Sequence, residues 1–106
     1  MGRKRGEGQF FVDSGATYTV LQQDVWERLG LSPKRIVELV LADGSTIFRQ
    51  LSEAIIELLP YGQYYSPVIL GESEDENLLG MITLEIFGLV LDPLKRILRP
   101  IRAVLK

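Results

Sequence analysis

A chain of 106 residues, 46% hydrophobic and 25% charged, has the length and composition of one folded domain with a single core. Its net charge of −2 gives no electrostatic footprint for nucleic acid. With neither cysteine nor histidine, it is excluded from disulfide frameworks, thiolate metal sites, the usual zinc sites and single-chain Ser-His-Asp or Cys-His catalysis. Carboxylates, lysines and hydroxyls remain for chemistry.

Residues 1–8 are Gly-rich and basic and are expected to form a flexible N-terminus, frayed or loosely hairpinned. No apolar segment follows Arg3-Lys4-Arg5, so this is not a secretory signal. No apolar run in the chain approaches the roughly 18 residues that span a bilayer. A cytoplasmic protein is the expectation.

Phe10-Phe11-Val12 is β-prone and apolar on both faces, which predicts a buried strand. Asp13-Ser14-Gly15 then predicts a tight turn. A carboxylate is thereby set at the end of a buried strand, where charge is costly unless something nearby needs it. On these residues alone, an ordinary hairpin turn whose Asp caps its own loop fits equally well.

Residues 18–21 predict a return strand and 22–29 a helix. Asp24 and Glu27 suit the helix's N-terminal half, and Val25, Trp26 and Leu29 share a face. Gly30 stands at the C′ position, and Pro33 prevents continuation. Trp26, on the apolar face, is read as core. Residues 36–41 form a strand and 46–59 one or two more. Between them Ala42-Asp43-Gly44-Ser45 carries the Asp-Gly signal of a β-hairpin.

Pro60-Tyr61-Gly62 is a turn and residues 63–70 a further strand. Glu72, Glu74, Asp75 and Glu76 make an acidic loop, read as a solvated surface, because nothing in it fixes the geometry a metal would need. Residues 77–79 re-enter the core, Gly80 permits close packing, and 81–87 form a short helix ended by Gly88. Residues 89–91 are strand again, with Asp92-Pro93 as a turn. From Leu94 onward, apolar residues at helical spacing alternate with Lys95, Arg96, Arg99, Arg102 and Lys106, the pattern of a basic amphipathic helix. Pro100 opposes that helix by roughly 3 kcal/mol. A strand through Ile97-Leu98 is preferred, with 99–106 left as a basic tail that pairs across a dimer or hangs free.

Phe11-Val12-Asp13-Ser14-Gly15-Ala16, followed by Thr19-Val20-Leu21, resembles the active-site signature of the retropepsin-like aspartic proteases. Leu78-Leu79-Gly80-Met81-Ile82-Thr83-Leu84 resembles the second signature of that family, two apolar residues and a Gly before a short helix. The pair of signatures, in order, is far more specific than an Asp-Ser-Gly tripeptide, and the resemblance covers residues 9–98. It implies a mainly all-β fold: a closed β-barrel, the half-lobe of an acid protease, with one or two short helices, over a single domain of residues 1–106. Members usually carry a full strand before the active-site strand, which residues 1–8 offer poorly.

Hydrolysis of an amide by carboxylates needs two of them: one takes a proton from water while a second, protonated, donates to the carbonyl. The resemblance implies that this chain, with one Asp-Ser-Gly, works as a homodimer with Asp13 of each copy on the two-fold axis. Such paired acids share a proton, and the handling of two carboxylates by aspartic proteases is a standard case of this. The same resemblance makes Ser14 a cross-axis hydrogen-bonding residue, gives Gly15 close approach to substrate backbone, and has Ala16 line the pocket. The hairpin at Ala42, Asp43, Gly44 and Ser45 becomes a flap, with Ile47 or Phe48 touching substrate.

Val20, Ile47, Phe48, Ile82 and Leu84 are candidates for apolar pocket walls, and each is equally plausible as plain core. Thr17 and Met81 replace an Asp and an Arg that pair near the dimer interface in viral members. The substrate implied is an extended peptide or unfolded protein, with no cofactor and no metal. The rival reading is a non-catalytic peptide-binding or dimerisation module of the same fold. A further alternative, less favoured, is membrane or partner contact through the basic tail.

Overall fold

The computed structural model describes residues 6–13 and 15–101. These form eight strands and two short helices, a mainly β architecture. β1 is Phe11–Val12, β2 Thr19–Leu21, α1 Gln23–Leu29, β3 Arg35–Val40 and β4 Thr46–Leu58. β5 is Gly62–Leu70, β6 Leu78–Leu79, α2 Met81–Ile86, β7 Leu89–Asp92 and β8 Ile97–Pro100.

Six strands form one mixed sheet in the order β1-β6-β2-β5-β4-β3, while β7 and β8 make a separate antiparallel hairpin. Local hairpins account for the antiparallel half: β3 pairs with β4, and β4 with β5. The other half depends on long-range pairing. β1 lies parallel to β6, in the register Phe11↔Leu78 and Val12↔Leu79, and β2 lies parallel to β5. Among the described residues β1 and β3 are the sheet's two edges, so the ladder stays open rather than closing hydrogen bond by hydrogen bond into a barrel.

The core is built where the apolar faces of these elements meet. Leu79, Leu84, Phe87 and Leu89 form one cluster, with Val12 and Leu98 packed on it. Leu21, Ala54 and Val68 form a second beneath Trp26 and Leu29 of α1, and Val37, Leu51 and Ile69 a third beside Tyr18 and Val20. Fully burying a Leu or Ile of this kind contributes about 1.5–3 kcal/mol. Tyr64 meets Phe87 edge to face, with ring centroids 4.9 Å apart.

Helix α1 has the cues expected of it. Asp24 stands in its first turn and Arg28 in its last, and Gly30 ends it at φ 71°. Trp26 packs on the second cluster as expected, and its indole N–H also donates to the Gly71 carbonyl at 2.8 Å, tying α1 to the loop after β5.

One expectation needs correction. The strand before Asp13 is not buried on both faces: β1 is two residues long, and Phe11 is 65% exposed. Its two residues point to opposite faces, and only the face that carries Val12 packs on the core. Of the one or two strands expected over residues 46–59, the chain forms one, β4, continuous from Thr46 to Leu58. The C-terminal segment follows the strand expectation: after a turn with Arg96 at φ 56°, residues 97–100 pair with β7 and form no helix. Residues 1–5 and 102–106, and with them part of the basic tail, lie outside the described residues.

Candidate active site

Asp13 directly follows β1. Its backbone N–H donates to the Leu79 carbonyl at 3.1 Å, which pins the start of the turn to β6. Its carbonyl accepts from Ala16 N–H at 3.1 Å, and its Oδ1 accepts from Gly15 N–H at 2.9 Å. The turn therefore folds on its own aspartate, and the carboxyl group is left exposed. A side chain at Gly15 would put its Cβ 3.2 Å from Asp13 Oδ1, a tight approach against the carboxylate itself. Ser14 lies outside the described residues.

The second signature closes on the first. A helix leaves its first N–H groups without partners inside the helix. In α2, Met81 N–H donates to the Ala16 carbonyl at 2.7 Å and Ile82 N–H to the Thr17 carbonyl at 3.0 Å. Gly80, just before the helix, packs so closely that an added Cβ would lie 2.4 Å from the carbonyl carbon and oxygen of Tyr18. Glycine is required there because no side chain fits against backbone at that distance.

Below the turn runs a chain of buried hydroxyls. Gly80 N–H donates to Thr19 Oγ1 at 3.0 Å, Thr19 Oγ1 lies 2.5 Å from Thr83 Oγ1, and Thr83 Oγ1 lies 2.7 Å from Ser66 Oγ. Ser66 Oγ donates to the Pro67 carbonyl at 3.1 Å. With that last donation, a single direction satisfies every member, since each hydroxyl has one proton to give and lone pairs to receive. All three side chains are at most 2% exposed.

These two signatures, so interlocked, agree with a comparison of sequence. A family model described as gag-polyprotein putative aspartyl protease matches residues 4–85. The chain belongs to this family. No curated protein matches it. The part of the chain matched to the aspartyl protease family takes in the Asp13 turn, the β3–β4 hairpin and nearly all of α2.

In this member of the family the remaining predicted residues fall in different places. The β3–β4 hairpin turns through Ala42, Asp43, Gly44 and Ser45, with Gly44 at φ 86° and Leu41 N–H donating to the Ser45 carbonyl at 2.7 Å. Asp43 Oδ1 accepts from the Ser45 hydroxyl at 2.5 Å and from its N–H at 2.9 Å, and these bonds hold the Asp43 carboxyl below the usual carboxylate range. Phe48 is exposed, while Ile47 is half-buried. Val20 and Ile82 are also half-buried. Leu84 is core: at 2% exposure, within the cluster of Leu79, Phe87 and Leu89, it has no surface to offer a ligand. Thr17 and Met81 are both exposed and uncharged.

Two features escape a reading of the sequence. The hydroxyl chain joins residues from three separate elements, and a lone Thr or Ser carries no mark of being buried. The acidic loop is not solvent-facing alone. Arg49 Nε donates to Asp75 Oδ2 at 3.0 Å, and its Nη1 lies 3.5 Å from Glu72 Oε2. Burial raises the Asp75 pKa, but hydrogen bonds from Arg49 and from Glu72 N–H, with the guanidinium charge, outweigh it and leave the group lowered. Among the described residues, no set of three or more Asp or Glu is grouped to hold a metal ion. A cleft of about 470 Å³ opens between α1 and β4, lined by Trp26, Ile36, Phe48, Gln50 and Leu70 among others; Asp13 is not among its lining residues.

Proposed function

We propose that the chain is an aspartic endopeptidase that works as a homodimer, with Asp13 of each copy forming one catalytic dyad. The observation that carries this reading is the state of Asp13: a carboxylate held by its own turn, locked to the second signature, yet exposed in a single chain. A lone exposed carboxylate has no second acid to donate to the scissile carbonyl. A second copy supplies one.

In this reading one Asp13 takes a proton from water as the water attacks the peptide carbonyl, and the other, protonated, donates to the carbonyl oxygen. The tetrahedral intermediate collapses as a proton passes to the leaving amine and the C–N bond breaks. Gly15 lets substrate backbone approach, and Ala16 lines the pocket wall. Ser14 would bond across the axis. The β3–β4 hairpin acts as the flap, with Ile47 and Phe48 against an extended peptide or unfolded segment. Exposed Phe11, Met81 and Ile97 are apolar surface of the kind a dimer interface covers.

The test is Asp13→Asn, which keeps the shape of the side chain but removes the acid. Peptide cleavage should fall by about 10²–10⁴-fold or more, with circular dichroism and sedimentation unchanged. Cleavage at the wild-type rate by that variant would overturn the assignment.

A further inference from the structure

The loop between β5 and β6 is fastened at both ends to the frame around Asp13. At one end Gly71 N–H donates to the Leu21 carbonyl at 2.9 Å. At the other, the Asn77 carbonyl accepts from Phe11 N–H at 3.1 Å, two residues before the aspartate, and Asn77 Oδ1 accepts from Gln22 N–H at 2.8 Å. Within the loop Asp75 N–H donates to the Glu72 carbonyl, and Asp75 Oδ2 accepts from Glu72 N–H at 2.8 Å, so the acids are preset before any cation reaches them.

That cation comes from the hairpin. Arg49 lies on the second arm, β4, opposite Val37 of β3. Its side chain is only 16% exposed, that of Asp75 30% and that of Glu72 69%. Its Nη1 also donates to the Phe48 carbonyl at 3.0 Å, which ties the guanidinium to its own strand. Fully exposed pairs contribute little because water and salt screen them, whereas a half-buried guanidinium that loses its partner stays costly.

We propose that Arg49 is a positioning residue for peptide binding: through Asp75 it fixes the β3–β4 hairpin relative to β1, the strand that leads into Asp13. The consequence for catalysis rests on the reading of this hairpin as the flap. Arg49 makes no contact with Asp13 and so acts on substrate affinity, not on the proton transfers. Asp75 is its principal partner, and the more exposed Glu72 is secondary. Neither Glu74 nor Glu76, both exposed, takes part.

The experiment uses the full chain and two readouts. In the first, hydrogen exchange of the amides of residues 40–50 is compared between wild type and Arg49→Gln. Exchange should quicken about tenfold in the hairpin and stay unchanged in β5 and α2. In the second, steady-state cleavage of an extended apolar peptide should show KM raised about tenfold with kcat within about twofold. Arg49→Lys should fall between, since a lysine supplies a charge without the planar fork. Arg49→Glu combined with Asp75→Arg should recover most of what Arg49→Glu alone loses. Unchanged hairpin exchange in Arg49→Gln overturns the proposal, as does exchange that rises equally throughout the protein, which would mark a purely structural residue. If wild type cleaves no peptide at all, the protease reading fails, and the exchange measurement still decides the fastening.

Discussion

Thr19 and Thr83, separated by 64 positions in the chain, meet through hydroxyl oxygens 2.5 Å apart in a fully buried site. The contact joins β2, which follows the Asp13 turn, to α2, which closes against that turn. Replacing Thr83 with Val keeps the shape but leaves both Thr19 and Ser66 short of a partner in the interior. The expected loss is about 1–3 kcal/mol in urea unfolding, the cost of stranded buried hydroxyls. Thr83→Ser should retain most of the stability, because it keeps the hydroxyl and loses one methyl. A loss for Thr83→Val no larger than that for Thr83→Ser would show that the hydroxyl contributes no more than the methyl.

Gly80→Ala attacks the same junction through backbone. Its Cβ would lie 2.4 Å from Tyr18 carbonyl atoms and 2.9 Å from the Thr19 nitrogen, none of which can move without shifting the turn. A loss of about 1–3 kcal/mol or more is expected, with peptide cleavage reduced beyond what the unfolded fraction explains. Thermal unfolding and activity measured side by side check both. Gly44→Ala is the control: nothing lies within 4 Å of its added Cβ, so its cost comes only from the left-handed φ of 86°.

The Arg49–Asp75 pair sets a pH dependence of known sign. The folded-state pKa of Asp75 is lowered, so its contribution to stability is fully present above the ordinary carboxylate value of about 3.9 and fades as pH falls through the lower native value. Asp75→Asn should therefore destabilise by about 1 kcal/mol at both pH 7 and pH 5, with the difference shrinking below about pH 4. Urea unfolding at these values checks it. A difference that vanished already at pH 5 would mean that the pair is not formed.

A homodimer built without an ion pair at Thr17 and Met81 depends on apolar contact. Specific activity should then rise with protein concentration until dimer saturates, and substrate or a tight peptide inhibitor should lower the concentration needed. Progress curves across about a hundredfold dilution series check this. Specific activity that stays constant across the series, with monomer seen by sedimentation, would remove the second copy from the mechanism.

Much of this protein is legible in local pattern. Asp-Ser-Gly after three apolar residues, Asp-Gly between β-prone runs, and Gly30 after an amphipathic stretch each act through the backbone preferences of a few neighbours, and each element stands within two residues of its expected place. The paired signatures marked the family because their spacing is itself sequence. What only the folded chain decided is everything that depends on which distant atoms arrive together. Phe11 is exposed on a face of β1 that nothing in this chain buries, and Leu84 is core because α2 turned that side inward. Arg49 met Asp75 across 26 positions. Hydroxyl chains, ion pairs and close backbone contacts reach only a few ångströms, so no run of neighbouring residues records them until the sheet has brought its strands together.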